Sequence, residues 1–171
     1  VLARYTPDPT IDVDAGFARK VRSPGLYERY TWMSRGMEML MVNWFGDGNG
    51  YIGNPDLVPE QSWVLSTEAN QKLGKWGAVK LALDAGVIED AVDRIPVGAT
   101  GSAVGNIDEA TAWSASLSGT INLDPVGAKG LQFQFSWEYS DSEVEDPLTG
   151  VTREISYSDK LNGNMSLRWD V

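Results

Sequence analysis

Between Leu131 and Ser140 the chain reads Leu-Gln-Phe-Gln-Phe-Ser-Trp-Glu-Tyr-Ser. Leu131, Phe133, Phe135, Trp137 and Tyr139 are all large and apolar or aromatic, while every residue between them is polar. Successive side chains of a β-strand point to opposite faces, so a period of two fixes a strand with one greasy and one wet face. A helix would scatter the same residues around its circumference. Two environments accept such a strand: the core of a soluble sandwich and the boundary between lipid and a hydrated lumen.

The same alternation recurs along the chain. Ile11, Val13, Ala15 and Phe17 oppose Asp12, Asp14, Gly16 and Ala18; Trp63, Leu65, Thr67 and Ala69 oppose Ser62, Ser66, Glu68 and Asn70, with Val64 as an exception. Val79, Leu81 and Leu83 oppose Lys80, Ala82 and Asp84, in a strand predicted to continue as far as Ile95. Trp113 to Leu123 repeats the pattern against Ser, Thr and Asn, Leu161 to Val171 repeats it against Asn, Ser, Arg168 and Asp170, and Val1–Tyr5 reads as the end of a strand. Segments of ten or more residues exceed the roughly five or six of an average soluble strand and reach the roughly 9–11 needed to span a bilayer. Connections alternate in length. Those near Pro7, Lys75 and Val126 are short, and those at 23–60, 96–105 and 143–155 are longer. Trp63, Trp113, Trp137 and Tyr139 are assigned to the long-loop ends, and Trp76 and Trp169 to the short-turn ends, as in paired aromatic girdles. The fold expected is all-β: a segment of an antiparallel transmembrane β-barrel with six to eight strands. The alternative is a soluble β-sandwich module that binds carbohydrate or another ligand, its tryptophans serving as stacking platforms.

Composition excludes several functions. The chain has neither cysteine nor histidine, which removes disulfides, thiolate metal sites and histidine-based nucleophilic catalysis. A net charge of −10 argues against nucleic-acid binding. The acid pairs Glu89/Asp90 and Glu143/Glu145 read as solvated loop rims, because glycosidase carboxyls must face each other across a cleft. No enzymatic activity and no cofactor are expected.

The loop between the second and third long strands carries recognisable motifs. Arg22-Ser23-Pro24-Gly25-Leu26-Tyr27-Glu28 resembles the run that ends a strand in TonB-dependent outer-membrane receptors. Gly53-Asn54-Pro55-Asp56-Leu57-Val58-Pro59-Glu60 resembles the motif leading into the next strand of the same family, and Ile88-Glu89-Asp90, Asp93-Arg94-Ile95 and Val104-Gly105-Asn106-Ile107-Asp108 follow in the family's order. The resemblance implies part of a barrel of about 22 strands that takes up a scarce ligand (siderophore, metal or another small nutrient) across the outer membrane of a Gram-negative bacterium. Its partners would be outer-membrane lipid, the transported ligand and the TonB complex. No plug domain and no TonB box are recognisable in residues 1–171, so TonB contact is expected through other regions, and the true termini are expected to lie elsewhere.

Within the motifs, Arg22, Pro24, Leu26, Tyr27, Glu28, Gly53, Asn54, Pro55, Leu57, Pro59 and Glu60 are expected to act mainly structurally, since Pro55 and Pro59 push their neighbours toward extended conformations. Met33, Met37, Met39, Met41, Trp44 and Tyr51 are the candidates for loop contacts with a ligand. Thioethers favour Cu(I), and the family includes copper importers. Packing of methionine between loops is the preferred reading, because no histidine or cysteine completes a soft site. A calcium loop around Asp47-Gly48-Asn49-Gly50 fails as an EF-hand: Gly50 at the sixth position puts Phe45 at the first.

Overall fold

A computed structural model describes residues 1–31, 50–98, 101–156 and 158–170. Long antiparallel strands dominate: β1 (Leu2–Asp8), β2 (Ile11–Arg22), β4 (Glu60–Lys72), β5 (Gly77–Glu89), β8 (Ala110–Asn122), β9 (Leu131–Glu145) and β11 (Leu161–Trp169). They pair in that sequence into one open wall, and the short strand β10 (Thr152–Arg153) lengthens the β9 edge beyond β11. A second sheet holds β3 (Gly50–Ile52), β7 (Gly101–Asn106) and β6 (Val92–Val97), with β3 and β7 parallel. A short helix, α1 (Leu26–Tyr30), follows β2.

The registers put each strand's odd-numbered residues in rows. Phe17, Leu65, Ala85, Trp113 and Asp141 form one such row; Ala69, Leu81, Leu117, Trp137 and Gly163 form another. The odd face is therefore almost wholly apolar, and it lies open: Leu65 is 56% exposed, Leu83 47% and Met165 64%. A sandwich would cover this face with its second sheet. Here the second sheet packs at one rim, which removes the sandwich reading. The even face carries Ser, Asn, Gln and paired charges. Arg4 grips Asp14 with two hydrogen bonds at 2.7 and 2.8 Å, and Lys80 reaches Glu68 at 3.2 Å.

Short connections gather at the opposite rim. Asp8 accepts from the Thr10 amide and hydroxyl at 2.7 and 2.6 Å in the β1–β2 turn. A 3-10 turn at Gly74–Trp76 joins β4 to β5, and another at Asp124–Val126 leads from β8 toward β9. Gly77 has φ +107°, and any Cβ there would strike the Thr120 carbonyl, so the β4–β5 turn needs glycine.

Four expectations are corrected. Pro7 lies inside β1, not in the turn; it lacks the N–H that a ladder uses, and the register shifts between Tyr5 and Asp8. The strand predicted through Ile95 stops at Glu89, because Asp90 adopts a left-handed conformation (φ 54°) and sends β6 into the second sheet. The expected loop at 96–105 is largely strand, with β6 and β7 paired from Val92↔Asn106 to Val97↔Gly101. Trp137 also sits mid-strand rather than at the rim, lying over Gly163, where an added Cβ would collide with its ring.

Buried residues concentrate at the long-loop rim. Tyr51, Leu57 and Val104 pack with Val92; Ala91, Ile107, Ala110 and Val144 pack with Ile88, Ile95 and Ile155. This is where the second sheet meets the wall.

Candidate functional site

At this rim the wall ends in an ionic junction. Arg22 and Glu60 face each other in the β2–β4 register. Arg22 Nε and Nη2 donate to Glu60 at 2.6 and 3.1 Å, and Nη1 donates to Glu28 of α1 at 3.0 Å. Glu28 also accepts from the Gly25 amide at 2.5 Å, which satisfies an otherwise orphaned donor at the helix start. Glu60 Oε2 accepts from the Val92 amide at 3.0 Å. One arginine and two carboxylates thus fasten β2, α1, β4 and β6 together. Leu26 and Tyr27, between these anchors, are exposed.

The glycine–asparagine–proline segment seats the second sheet. The Gly53 amide donates to Thr31 O at 2.7 Å and the Asn54 amide to Glu28 O at 2.8 Å. The Asn54 side chain donates to Val104 O at 3.1 Å and accepts from the Asp56 amide at 3.1 Å. Leu57 is buried, and its carbonyl accepts from Arg29 Nη2 at 2.8 Å. These partners give Arg22, Glu28, Gly53, Asn54, Leu57 and Glu60 structural work; Pro55 sits in a turn closed by the Asn54 side chain, and Pro59 directly precedes β4.

Tyr51 is corrected: it is 1% exposed and belongs to the rim core, not to a ligand-facing loop surface. Burial, with Glu28 nearby, pushes its hydroxyl up to about 12. Met33, Met37, Met39, Met41 and Trp44 lie outside the described residues, as does the Phe45–Asn49 part of the calcium-loop reading. The chain beyond Asp56 runs without a helix into β4, which leaves no EF-hand exit helix. Among the described residues, no group of three or more acidic side chains is placed to hold a metal.

Sequence reading missed Asn106 and Arg153. Asn106 accepts from the Val58 amide at 2.9 Å and donates to Val58 O and Asp90 O at 3.0 and 2.8 Å, so one side chain replaces a strand's ladder bonds where β7 ends. An amide side chain at a strand terminus is the signal that could have found it. Arg153 Nη1 donates to the buried Asp93 at 2.6 Å and its Nε to Asp146 at 2.9 Å, while the Ser156 amide donates to Asp93 at 3.2 Å. Lys160 bridges Glu154 and Asp141 at 2.6 and 3.4 Å. These contacts hold residues 153–156 against the even face. Nothing in local spacing marks a pair 60 residues apart.

The strap so held walls a groove of about 410 Å³ on the even face near the rim. Val64, Gly86, Ile88, Ala112 and Ile155 give it apolar surface; Ser62, Ser114, Ser140, Ser142 and Ser156 give hydroxyls; Asp84 gives a carboxylate. Ser66 Oγ donates to Asp84 Oδ1 at 2.5 Å.

The strap has a pH dependence of definite sign. Arg153, with the amides of Thr149 and Leu148, lowers the Asp146 carboxyl from 3.8 to about 2. A depressed carboxyl stabilises the folded form above its ordinary value and loses that contribution as pH falls through the folded value. Amide protection factors over residues 146–156, taken relative to the intrinsic exchange rate at each pH, are expected to fall between about pH 4 and pH 2, and Asp146→Asn is expected to remove that step.

Compared with known protein families, the whole chain, residues 1–171, matches the one described as "TonB dependent receptor-like, beta-barrel". No curated protein matches it. Among solved structures, it resembles the siderophore receptor PirA from Pseudomonas aeruginosa with a TM-score of 0.55 and 16% sequence identity, over 97% of this chain and 34% of that one. The likeness is one of fold, and this chain spans about a third of the length of that receptor.

Proposed function

The chain belongs to the TonB-dependent receptor β-barrel family, and from that premise we propose that it forms part of the wall of an outer-membrane receptor that takes up a scarce small ligand with energy supplied through TonB. The observation that carries this reading is the two-sided wall: a continuous open apolar face toward lipid, and a hydrophilic face that bends into a groove at the long-loop rim. The long-loop rim is assigned to the extracellular side and the short turns to the periplasm, following the usual asymmetry of such barrels. The open edges at β1 and β11 would pair with further strands of the complete barrel. PirA is a siderophore receptor, and an organic iron chelate is therefore the first cargo to test.

The lipid assignment makes a direct prediction. Leu83→Arg, near the middle of β5 on the open apolar face, is expected to destabilise the bilayer-inserted protein by about 2–4 kcal/mol, whereas Ala82→Arg on the even face costs much less. Reversible unfolding of the full-length protein from lipid vesicles measures both. For uptake, the full-length receptor is expressed in a Gram-negative host stripped of its own ferric-chelate receptors and grown under iron limitation on single chelates. Growth that the receptor restores only when TonB is present is the expected result; growth independent of TonB refutes energy-coupled transport.

A further inference from the structure

The inward-facing charges of the wall form a nearly closed account, and the exception lies in the groove. Asp14 is held by Arg4, Asp12 by Lys72, Glu68 by Lys80 and Glu60 by Arg22. Among the described residues, Asp84 and Glu138 alone of the inward carboxylates in the long strands have no basic partner, and of these two Asp84 lines the groove. Three basic side chains around the strap and the rim are engaged by carboxylates: Arg22 by Glu60 and Glu28, Arg153 by Asp93 and Asp146, Lys160 by Glu154 and Asp141. Lys20, opposite Ser62 in register, is not among the lining residues, and neither is any other lysine or arginine.

An anionic ligand entering this groove would meet the Asp84 carboxylate and no lysine or arginine in the lining, in a site where apolar walls weaken screening. Serine hydroxyls serve donors and acceptors alike and so do not set the sign. The floor beside Asp84 is low and apolar, because Gly86 and Ala112 present almost no side chain between Val64 and Ile155. We infer that the groove selects an amphiphilic organic cation, whose ammonium or guanidinium group pairs with Asp84 while an adjoining apolar stretch lies on Val64, Gly86, Ala112 and Ile155. This rests on the uptake reading above and names the charge class of its cargo.

The test uses the full-length receptor in detergent and two forms of one linear ferric trihydroxamate, with its terminal amine free or N-acetylated, together with a trianionic ferric tris-catecholate. The free-amine form is expected to bind about ten-fold tighter than the acetylated form, as a charge-assisted hydrogen bond warrants. That preference should vanish in Asp84→Asn and persist in Asp84→Glu, which retains the charge if the asparagine variant folds poorly. Equal binding of the two forms, a preference untouched by Asp84→Asn, tighter binding of the catecholate, or no binding of any probe overturns the inference. The uptake reading fails separately, through growth that does not depend on TonB.

Discussion

Gly53→Ala is expected to detach the second sheet from the rim. A Cβ at this position would stand 2.5 Å from the Thr31 amide nitrogen and 2.8 Å from the Arg29 carbonyl oxygen, and neither atom is the end of a flexible side chain. Overfilling a packed site costs about 1–3 kcal/mol, and the upper part of that range applies where backbone must give way. The strain also falls on the two hydrogen bonds, Gly53 to Thr31 and Asn54 to Glu28, that seat β3 against α1. Denaturant titration of the full-length receptor, with amide exchange resolved over residues 26–31 and 50–57, should locate the loss there. Gly16→Ala is the matched control: its nearest neighbours would lie 3.7 Å away, and its effect should stay within about 0.5 kcal/mol.

The second large effect belongs to Asp93→Ala. Asp93 is 4% exposed and takes hydrogen bonds from Arg153 and from the Ser156 amide. Removing one partner of a buried ion pair costs about 3–5 kcal/mol, because the remaining charge is left uncompensated. Arg153 keeps Asp146 and part of its solvent contact, so a loss of about 2–3 kcal/mol is expected here. Limited proteolysis should begin within residues 146–156 in the variant while β4, β5 and β8 stay protected. Asp93→Asn can still accept from Ser156 and should fall between the two. Equal protection of the strap in Asp93→Ala and the parent would refute its role as anchor.

The wall was legible in the sequence because its code is local: two residues of period, one face against lipid, one against water. Trp63, Leu65, Leu81 and Leu117 could be placed on one face by counting alone. The motif residues Arg22, Glu28 and Glu60 were legible as structural through family resemblance, but their mutual contact was not, since it joins residues 38 apart through a loop. In the rim sheet, β3 and most of β7 read as loop because they are short and alternate poorly, and β6 read as the continuation of β5; they are separate strands through what they pair with. Asp93 was legible only as part of the strand motif Asp93-Arg94-Ile95. Only the return of Arg153 across 60 residues buries it, and no periodicity records that return. The groove is of the same kind: each of its walls is an ordinary strand or turn, and their convergence is a product of topology.

The parallel pairing of β3 with β7 has a consequence for the order of assembly. Every contact in the wall joins neighbours in a meander, so hairpins such as β4–β5 and β8–β9 can close early and cheaply. Gly50 meets Gly101 only after the intervening chain has folded back on itself, and the entropy of closing so long a loop is recovered only when the partners are already positioned. The rim sheet should therefore form last, on a wall already in register, and a chain captured midway through insertion would carry a completed wall beneath an unfinished mouth.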